Sequence, residues 1–406
     1  MIDLRAARAD PEAFRAAVAR KNAAAAEAFE ELLAADEQWR ELVPQVDELR
    51  GRQKLKGKPT PEQVEELKQV KEDLRRLEEE LATAAARRDE LLQKVPNPPH
   101  ESVPDEVEDD AEGAIVRVVG EPPELASARD HLELGRFEME RGARLSGSRF
   151  GYIVGDAALL TLALYRWALD RVVAQGFQAV IPPVLAREEA MYGTGFFPAE
   201  RFEIYEIVDE GLFLTGTSEV ALAGLHMGEI LDADELPLRY TAFSTNFRRE
   251  AGAAGRDTRG MFRVHQFNKV EMFCYVRPEE SWDEHERLLA IEESLASELG
   301  LAYRVVNIAA SELSAAAAKR YDLEAWFPSQ QRYRELTSAS NTTDYQSRRL
   351  GIRYRANGGT EYAHTLNGTA VTDRWALAVV ENFQNEDGSV TVPPPLVEFG
   401  APPTLG

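Results

Sequence analysis

The sequence predicts an α+β protein: an N-terminal antiparallel two-helix coiled-coil arm, then a larger domain with a mostly antiparallel sheet flanked by helices. The arm is predicted because leucines recur every seven residues in a long run without glycine, and a short break separates this run from apolar residues upstream. The second domain is predicted because strand-like segments outnumber helical ones after residue 114 and do not alternate regularly with them.

The arm is built from two segments with helical periodicity. Residues 61 to 95 contain no glycine and no internal proline, and Leu67, Leu74 and Leu81 have the heptad spacing of a coiled-coil seam. Apolar residues between positions 32 and 49 supply the partner helix, and the break at 57–59 is short enough to predict a hairpin. We expect Pro44 to kink the first helix or to delay its start.

The predicted tip of this hairpin is basic. Nine residues hold five cations and no carboxylate: Arg50, Arg52, Lys54, Lys56 and Lys58. A cluster of this kind by itself is more often a solvated helix end than a binding site. The alternative is a contact surface for phosphate groups.

A change of composition marks the domain boundary. Residues 96–104 are rich in proline, and residues 101–113 hold seven carboxylates and no lysine or arginine. We therefore predict a helical domain over 1–100, an acidic linker over 101–113 and the second domain over 114–406. In that domain, residues 278–299 predict a helix that packs on the sheet, because Leu288, Ile291 and Leu295 share one face.

Composition excludes several classes of protein. The single cysteine, Cys274, rules out an internal disulfide framework and a cysteine-rich zinc site. No run approaches the ~20 apolar residues of a membrane span, and the charged N-terminus does not resemble a secretory signal, so we expect a cytoplasmic protein without membrane contact. The net charge of -23 repels polyanions, so any nucleic-acid binding must use locally basic surfaces.

The segment 247–273 concentrates positive charge in an apparent strand–loop–strand unit. It contains five arginines: Arg248, Arg249, Arg256, Arg259 and Arg263. Arginine suits phosphate because its planar fork bonds two oxygens at once, and the usual glycine-rich phosphate loops are missing from this sequence. A hairpin held by ion pairs to Glu250, Asp257 and Glu271 is an equal alternative on charge alone.

An ordered set of motifs decides between these readings. FRREAG…GRDTRG…RVHQFNKVE (247–271) resembles motif 2 of the class II aminoacyl-tRNA synthetases, in the version found in the seryl-tRNA synthetase family. LTGTSEV (214–220) resembles that family's serine-binding loop, and YRELTSASNTTDYQSRR (333–349) resembles its ATP and magnesium segment. Residues 154–183 and 365–384 resemble motifs 1 and 3, and the arm resembles the family's tRNA-binding arm, so the resemblance covers nearly the whole chain.

The resemblance implies roles for individual residues. Arg248 would clamp the ATP α-phosphate and the serine carboxylate, and we expect the catalytic residues to be Arg248, Glu271 and Arg374. The serine site would comprise Thr217, Ser218, Glu219, Arg248, Glu271 and Thr369. The ATP site would comprise Arg248, Arg249, Glu250, Arg263, Val264, Phe267, Glu335, Leu336, Thr337, Ser338 and Arg374. Glu335 and Ser338 would be magnesium ligands, since a hard cation prefers oxygen.

Two features of the sequence oppose these assignments. Glu271 has an alternative role as the ion-pair partner of Lys269, because strand alternation places both on one face. Asp373 precedes the motif 3 arginine where many family members have a smaller or uncharged residue, and it could draw Arg374 away from the γ-phosphate.

The resemblance also implies substrates and partners. The expected reaction is the attachment of L-serine to tRNA(Ser) through seryl-adenylate, with ATP and Mg²⁺, by a homodimer; selenocysteine tRNA is a second acceptor that this family allows. On this reading the basic tip of the arm contacts tRNA phosphates. The rivals are a paralogue that uses another amino acid or a carrier protein, and an inactive RNA-binding relative.

Overall fold

The computed structural model describes residues 1–54, 60–108, 110–252, 257, 259–356 and 358–406. The chain forms two compact units, Met1–Pro98 and Pro99–Gly406. Within these described ranges, no helix is both long enough and apolar enough to cross a membrane.

The first unit is helical. Its helices are α1 (Leu4–Ala9), α2 (Pro11–Ala19), α3 (Ala23–Arg52) and α4 (Pro61–Lys94). Helices α3 and α4 pack along each other through buried apolar side chains that include Leu32, Val46, Val70, Leu74 and Leu91. The coiled-coil arm predicted from the heptad spacing is therefore confirmed.

Both long helices begin at residues that cap them. The Asn22 side chain accepts a hydrogen bond from the Ala25 amide at 2.8 Å, and Thr60 and Gln63 form a reciprocal capping box. Pro44 lies inside α3, which continues through it, so the predicted late start does not occur. An interior proline costs about 3 kcal/mol, and packing of α3 on α4 offsets this cost at an exposed position.

The second unit combines helices of 4 to 19 residues with one eight-stranded sheet and several smaller sheets. Its helices are α5 (His131–Leu134), α6 (Met139–Ser146), α7 (Asp156–Ala174), α8 (Glu188–Thr194), α9 (Glu219–Gly224), α10 (Ser281–Glu298), α11 (Tyr345–Leu350), α12 (Asp373–Asn382) and α13 (Pro394–Glu398). In chain order, its first ten strands are β1 (Gly113–Val119), β2 (Phe137–Glu138), β3 (Tyr152–Ile153), β4 (Gln178–Val180), β5 (Leu185–Arg187), β6 (Glu206–Ile207), β7 (Leu212–Leu214), β8 (Ile230–Leu231), β9 (Leu238–Phe247) and β10 (Gln266–Val276). The remaining strands are β11 (Tyr303–Ile308), β12 (Lys319–Phe327), β13 (Arg332–Thr343), β14 (Arg353–Ala356), β15 (Gly359–Tyr362), β16 (His364–Thr372), β17 (Val390–Thr391) and β18 (Thr404–Leu405).

Eight strands form the main sheet in the order β1-β11-β12-β13-β16-β10-β9-β4. Neighbouring strands are antiparallel except for β4, which runs parallel to β9. Helix α10 packs against β13 and β16 through the predicted apolar face, where Leu288, Leu295 and their neighbours are buried. This architecture confirms the predicted α+β fold class.

The acidic segment 101–113, predicted to be a linker, instead packs on the second unit. Val103 and Ala111 are buried in one cluster with Val306 and Ile308 of β11. The Ala310 amide donates to the Pro104 carbonyl at 2.9 Å. The composition of the segment did not predict this packing, because only two apolar side chains among many carboxylates attach its described residues to the sheet.

Candidate active site

The two faces of the central strands have different surroundings: one face packs against α10, and the other lines a cavity. On β13, Thr337 and Asn341 face α10, where the Thr337 hydroxyl donates to Glu292 Oε2 at 3.0 Å. Ser338, Ser340 and Thr342 alternate with them and line a cavity of about 320 Å³. Thr337 was predicted to lie in the ATP site, but its side chain is on the helix side of the sheet.

A β-bulge brings the two predicted magnesium ligands to the same side. Glu335 and Ser338 are three residues apart, so regular alternation would place them on opposite faces. The register between β12 and β13 shifts at Leu323/Glu324, and both Glu335 and Ser338 line a second cavity of about 110 Å³ beside the first. A similar shift between β10 and β16 places Thr369 and Thr372 together on that cavity.

Arg248 lines both cavities, directly after β9. Its Nε atom donates to the Gly216 carbonyl at 3.2 Å, and its guanidinium carbon lies 5.3 Å from the centre of the Phe267 ring. Val264, Phe267 and Leu336 line the smaller cavity, as predicted for an ATP pocket. Arg248 is thus one of the arginines that the two cavities share.

Part of the ion-paired alternative for the arginine-rich segment is present as well. Arg263 donates to Glu250, and Arg334 donates to Asp257 at 2.7 Å. Arg249 is exposed, and its backbone amide donates to the Glu203 carbonyl at 2.8 Å. Arg256 lies outside the described residues. Glu250 and Arg263 nevertheless line both cavities.

A cluster of arginines and carboxylates lies on one side of the cavities. Arg374 donates to Glu335 Oε2 at 3.1 Å and to the Phe262 carbonyl at 3.2 Å, and Arg320 lies 3.7 Å from Glu335. Burial acts to raise the pKa of Glu335, but Arg374 and Arg320 outweigh it and hold this pKa at about 2. Arg320 was missed from the sequence, where the charged alternation at 320, 322 and 324 was its one signal.

The carboxylate of Asp373 has partners other than Arg374. It accepts hydrogen bonds from the Asn268 amide at 2.9 Å and from the Tyr165 hydroxyl. The sequence left open whether Asp373 draws Arg374 away, and in the structure their side chains bond to different groups.

A buried polar pocket lies at the other end of the larger cavity. The Thr217 hydroxyl accepts from Lys269 Nζ at 2.7 Å, and the Thr369 hydroxyl lies 3.4 Å from Glu271 Oε2. Lys269 and Glu271 both line the cavity. They also form the ion pair that the sequence offered as an alternative role for Glu271. Ser218, which was predicted for the serine site, is buried and is not among the residues that line either cavity.

Glu219 is held by residues that the sequence did not single out. Its Oε1 accepts from Gln346 Nε2 at 2.7 Å and from Asn367 Nδ2 at 2.9 Å. Burial, together with the charge of Glu271, raises the pKa of Glu219 to about 7. Burial also raises the pKa of Glu271, although Lys269 opposes this effect. A cationic ligand group in this pocket would favour the charged form of both carboxylates.

The described cations at the arm tip are partly paired. Arg50 Nη2 lies 2.9 Å from Glu78, and Arg52 Nη2 lies 3.1 Å from Glu66. Lys54 is exposed, two residues after the end of α3. Lys56 and Lys58, which belong to the same predicted cluster, lie outside the described residues.

Comparisons with known proteins cover both units. The family model for the seryl-tRNA synthetase N-terminal domain matches residues 1–99, and that for the tRNA synthetase class II core domain (G, H, P, S and T) matches residues 202–383. The chain is 47% identical to a serine–tRNA ligase of Thermobifida fusca over 98% of this chain and 97% of that one. It is 45% identical to a serine–tRNA ligase of Rhodococcus jostii over 98% of both chains.

Solved structures of seryl-tRNA synthetases are also similar to this chain. A seryl-tRNA synthetase from Pyrococcus horikoshii complexed with ATP superposes with a TM-score of 0.93 at 37% identity, covering 100% of this chain and 99% of that one. A cytoplasmic serine–tRNA ligase from Naegleria fowleri in complex with AMP superposes with a TM-score of 0.88 at 32% identity, covering 98% and 95%.

Proposed function

Because the chain belongs to the seryl-tRNA synthetase family, we propose that its two cavities form one site that activates L-serine with ATP and transfers it to tRNA. The observation that carries this assignment is the buried polar pocket around Glu271, which opens onto the arginine-lined cavity beside it. ATP and serine react within this shared space.

The polar pocket suits serine. The carboxylate of Glu219 and the hydroxyl of Thr217 bind the ammonium group, whose charge favours ionised Glu219. Glu271 and Thr369 bind the serine hydroxyl, for which their own 3.4 Å contact leaves oxygen atoms available. Alanine would leave these buried groups without a partner, so the pocket discriminates by hydroxyl.

The arginine-lined cavity suits ATP. Phe267 stacks on adenine beside Val264, and Glu250 accepts a hydrogen bond from the adenine amino group. Arg248 binds the α-phosphate and the serine carboxylate, while Arg263, Arg374 and Arg320 bind the outer phosphates.

The first step joins the two substrates. A serine carboxylate oxygen attacks the α-phosphorus, the bond to the β-phosphate oxygen breaks, and pyrophosphate leaves. Arg248 stabilises the charge on the reacting phosphoryl group, and the remaining effect is positioning of the two reactants. In the second step the terminal ribose hydroxyl of tRNA attacks the seryl carbonyl and AMP leaves.

Magnesium fits the oxygen ligands of this site. Among the described residues there is no cluster of three or more metal-ligating side chains, so a protein-only metal site is not expected there. Glu335 and Ser338 would hold Mg²⁺ while phosphate oxygens and water complete its shell. The bound ion would neutralise phosphate charge.

The arm binds the tRNA that accepts serine. Its basic tip contacts phosphates of tRNA(Ser), and selenocysteine tRNA is a second acceptor with the same arm contacts. The protein acts in the cytoplasm, where tRNA and ATP meet.

The test of this function is serine-dependent exchange of pyrophosphate into ATP. We expect magnesium-dependent exchange with serine and little with alanine, threonine or glycine. Arg248→Ala should lower the exchange rate by about 10²–10³, the loss typical of one such donor. The matched control is Arg355→Ala, at an exposed arginine of β14 that pairs with Asp232. Strong exchange with alanine and none with serine would contradict the assignment.

A further inference from the structure

A short segment outside the motif-like regions holds one end of the arginine-rich segment. His131, in α5, is 4% exposed. Its Nδ1 atom lies 2.9 Å from Glu381 Oε1, and its Nε2 atom accepts a hydrogen bond from the Met261 amide at 3.1 Å. The preceding residue, Asp130, pairs with Arg259 at 2.8 Å.

These contacts determine the tautomer of His131. A backbone amide can only donate, so Nε2 carries the lone pair and Nδ1 carries the proton. The proton on Nδ1 is donated to Glu381. Glu381 is fully buried and also accepts from the Ser329 hydroxyl at 2.6 Å, so this acceptor is fixed in place.

Gly260 shows how closely the two segments approach. A Cβ atom at this position would lie 2.4 Å from His131 Nε2, and the backbone has a φ of +76°. Both the space and the conformation therefore require glycine. The imidazole occupies the volume that any other side chain would need.

Phe262, which follows Met261, connects the contact between Met261 and His131 to the arginines at the proposed phosphate end of the site. The Phe262 carbonyl accepts from Arg374 Nε at 3.2 Å. The guanidinium carbons of Arg334 and Arg374 lie 3.7 and 4.5 Å from the centre of the Phe262 ring. The hydrogen bond from the Met261 amide to His131 therefore restrains the backbone immediately before Phe262, whose carbonyl and ring contact Arg374.

We propose that His131, in the tautomer set by Glu381, is a positioning residue that orients Arg374 for ATP through Met261 and Phe262. This inference rests on the proposed role of Arg374 in ATP binding. The imidazole contacts Met261 and Glu381 and acts on the substrate only through them.

Two amide substitutions separate the two hydrogen bonds of the imidazole. In His131→Gln the side-chain oxygen takes the place of Nε2 and can still accept from Met261. In His131→Asn the amide nitrogen takes the place of Nδ1 and can still donate to Glu381, but Met261 loses its acceptor. Both variants lose the ring that packs against Phe137, and since Asn is one methylene shorter than Gln, the stability of each variant must be measured beside its kinetics.

The measurement is the KM for ATP and for serine in pyrophosphate exchange, with the thermal midpoint of unfolding as the stability control. His131→Asn should raise the KM for ATP about tenfold, since a buried donor without a partner costs on the order of 1.4 kcal/mol. His131→Gln should stay within about threefold of the unsubstituted protein. The KM for serine should be equal in the two variants.

Glu381→Gln tests the tautomer without shortening a side chain. A neutral amide oxygen is a weaker acceptor than the carboxylate, so it no longer holds the proton on Nδ1, and the tautomer with the proton on Nε2, which opposes the Met261 amide, becomes accessible. The KM for ATP should then rise, and amide hydrogen exchange in a peptide covering 259–263 should accelerate. An unchanged KM together with unchanged exchange in this peptide would overturn the proposal.

Two outcomes separate this inference from the function on which it rests. Equal increases in the KM for ATP in His131→Asn and His131→Gln would show that His131 only fills space, which overturns the proposal. An unchanged KM for ATP in Arg374→Ala would instead contradict the role of Arg374 in the proposed function.

Discussion

At the scale of single residues, Asp373 shows how a buried carboxylate is accommodated beside an arginine. Burial raises the pKa of Asp373 to about 7, against about 3.9 for an exposed aspartate. Stability from this group is therefore complete below about pH 4 and is lost as the pH rises through about 7. The hydrogen bond from the Asn268 amide opposes this rise in pKa, and the Tyr165 hydroxyl is a second donor to the same carboxylate that also favours the charged form.

Tyr165→Phe should destabilise the protein by an amount that depends on pH. At pH 8 the free energy of unfolding should fall by about 1–3 kcal/mol, because a buried carboxylate loses a donor. At pH 5.5, where most of Asp373 is protonated, the loss should be smaller. Denaturant unfolding at both pH values measures the difference, with Tyr333→Phe as a half-buried control. Equal losses at both pH values would show that Asp373 does not titrate in this range.

At the scale of secondary structure elements, two strands show what periodicity does and does not predict. Strand alternation correctly places Lys269 and Glu271 on one face of β10, and both line the cavity. The same rule would separate Glu335 from Ser338 on β13. A bulge in β13 opposite β12 places both on one side, and its position depends on how these two strands, which residues 328–331 connect, pair with each other.

The arm is the element whose charge can be tested directly. Changing Arg50, Arg52, Lys54, Lys56 and Lys58 to glutamine should weaken tRNA binding and flatten its salt dependence, because fewer counterions are released. Each lost phosphate contact should reduce the slope of log K against log salt by about 0.7–0.9. Arg50 and Arg52 should contribute less than Lys54, since each already has a glutamate partner.

The salt dependence of tRNA binding, measured by filter binding or fluorescence anisotropy, checks the arm prediction. The control is Arg75→Gln with Arg76→Gln, two exposed cations in the middle of α4. Serine-dependent exchange should be unchanged in both variants. Unchanged affinity and slope in the five-fold variant would assign the arm another role.

At the scale of the whole molecule, several large apolar side chains of the second unit face solvent. Leu162 of α7 is 62% exposed, Leu145 is 72% exposed and Ile181 is 96% exposed. Residues of α6, α7 and β3 also line a largely apolar cavity of about 450 Å³. Apolar surface of this kind commonly marks a protein interface, and we predict that a second copy of the chain covers it.

Light scattering at micromolar concentration tests this assembly. The expected mass is about twice the 45.3 kDa of one chain. Leu162→Glu should shift the mass toward one chain, because a buried unpaired carboxylate is costly at an interface. Glutamate at the exposed Val208, outside α6, α7 and β3, is the control and should leave the mass unchanged. A mass of 45.3 kDa for the unsubstituted protein would contradict the prediction.

Local patterns in the sequence were sufficient for the arm, the fold class and the motif residues that identify the family. Heptad spacing, caps and strand alternation reflect the geometry of a few consecutive residues, so they can be read from neighbours along the chain. Folding decided the partners of the buried polar groups: Asp373 with Tyr165, Glu219 with Asn367, and His131 with Met261. Each pair joins residues more than 100 positions apart. The strong preference of buried polar atoms for a partner is general, but which atom meets it depends on how distant elements pack.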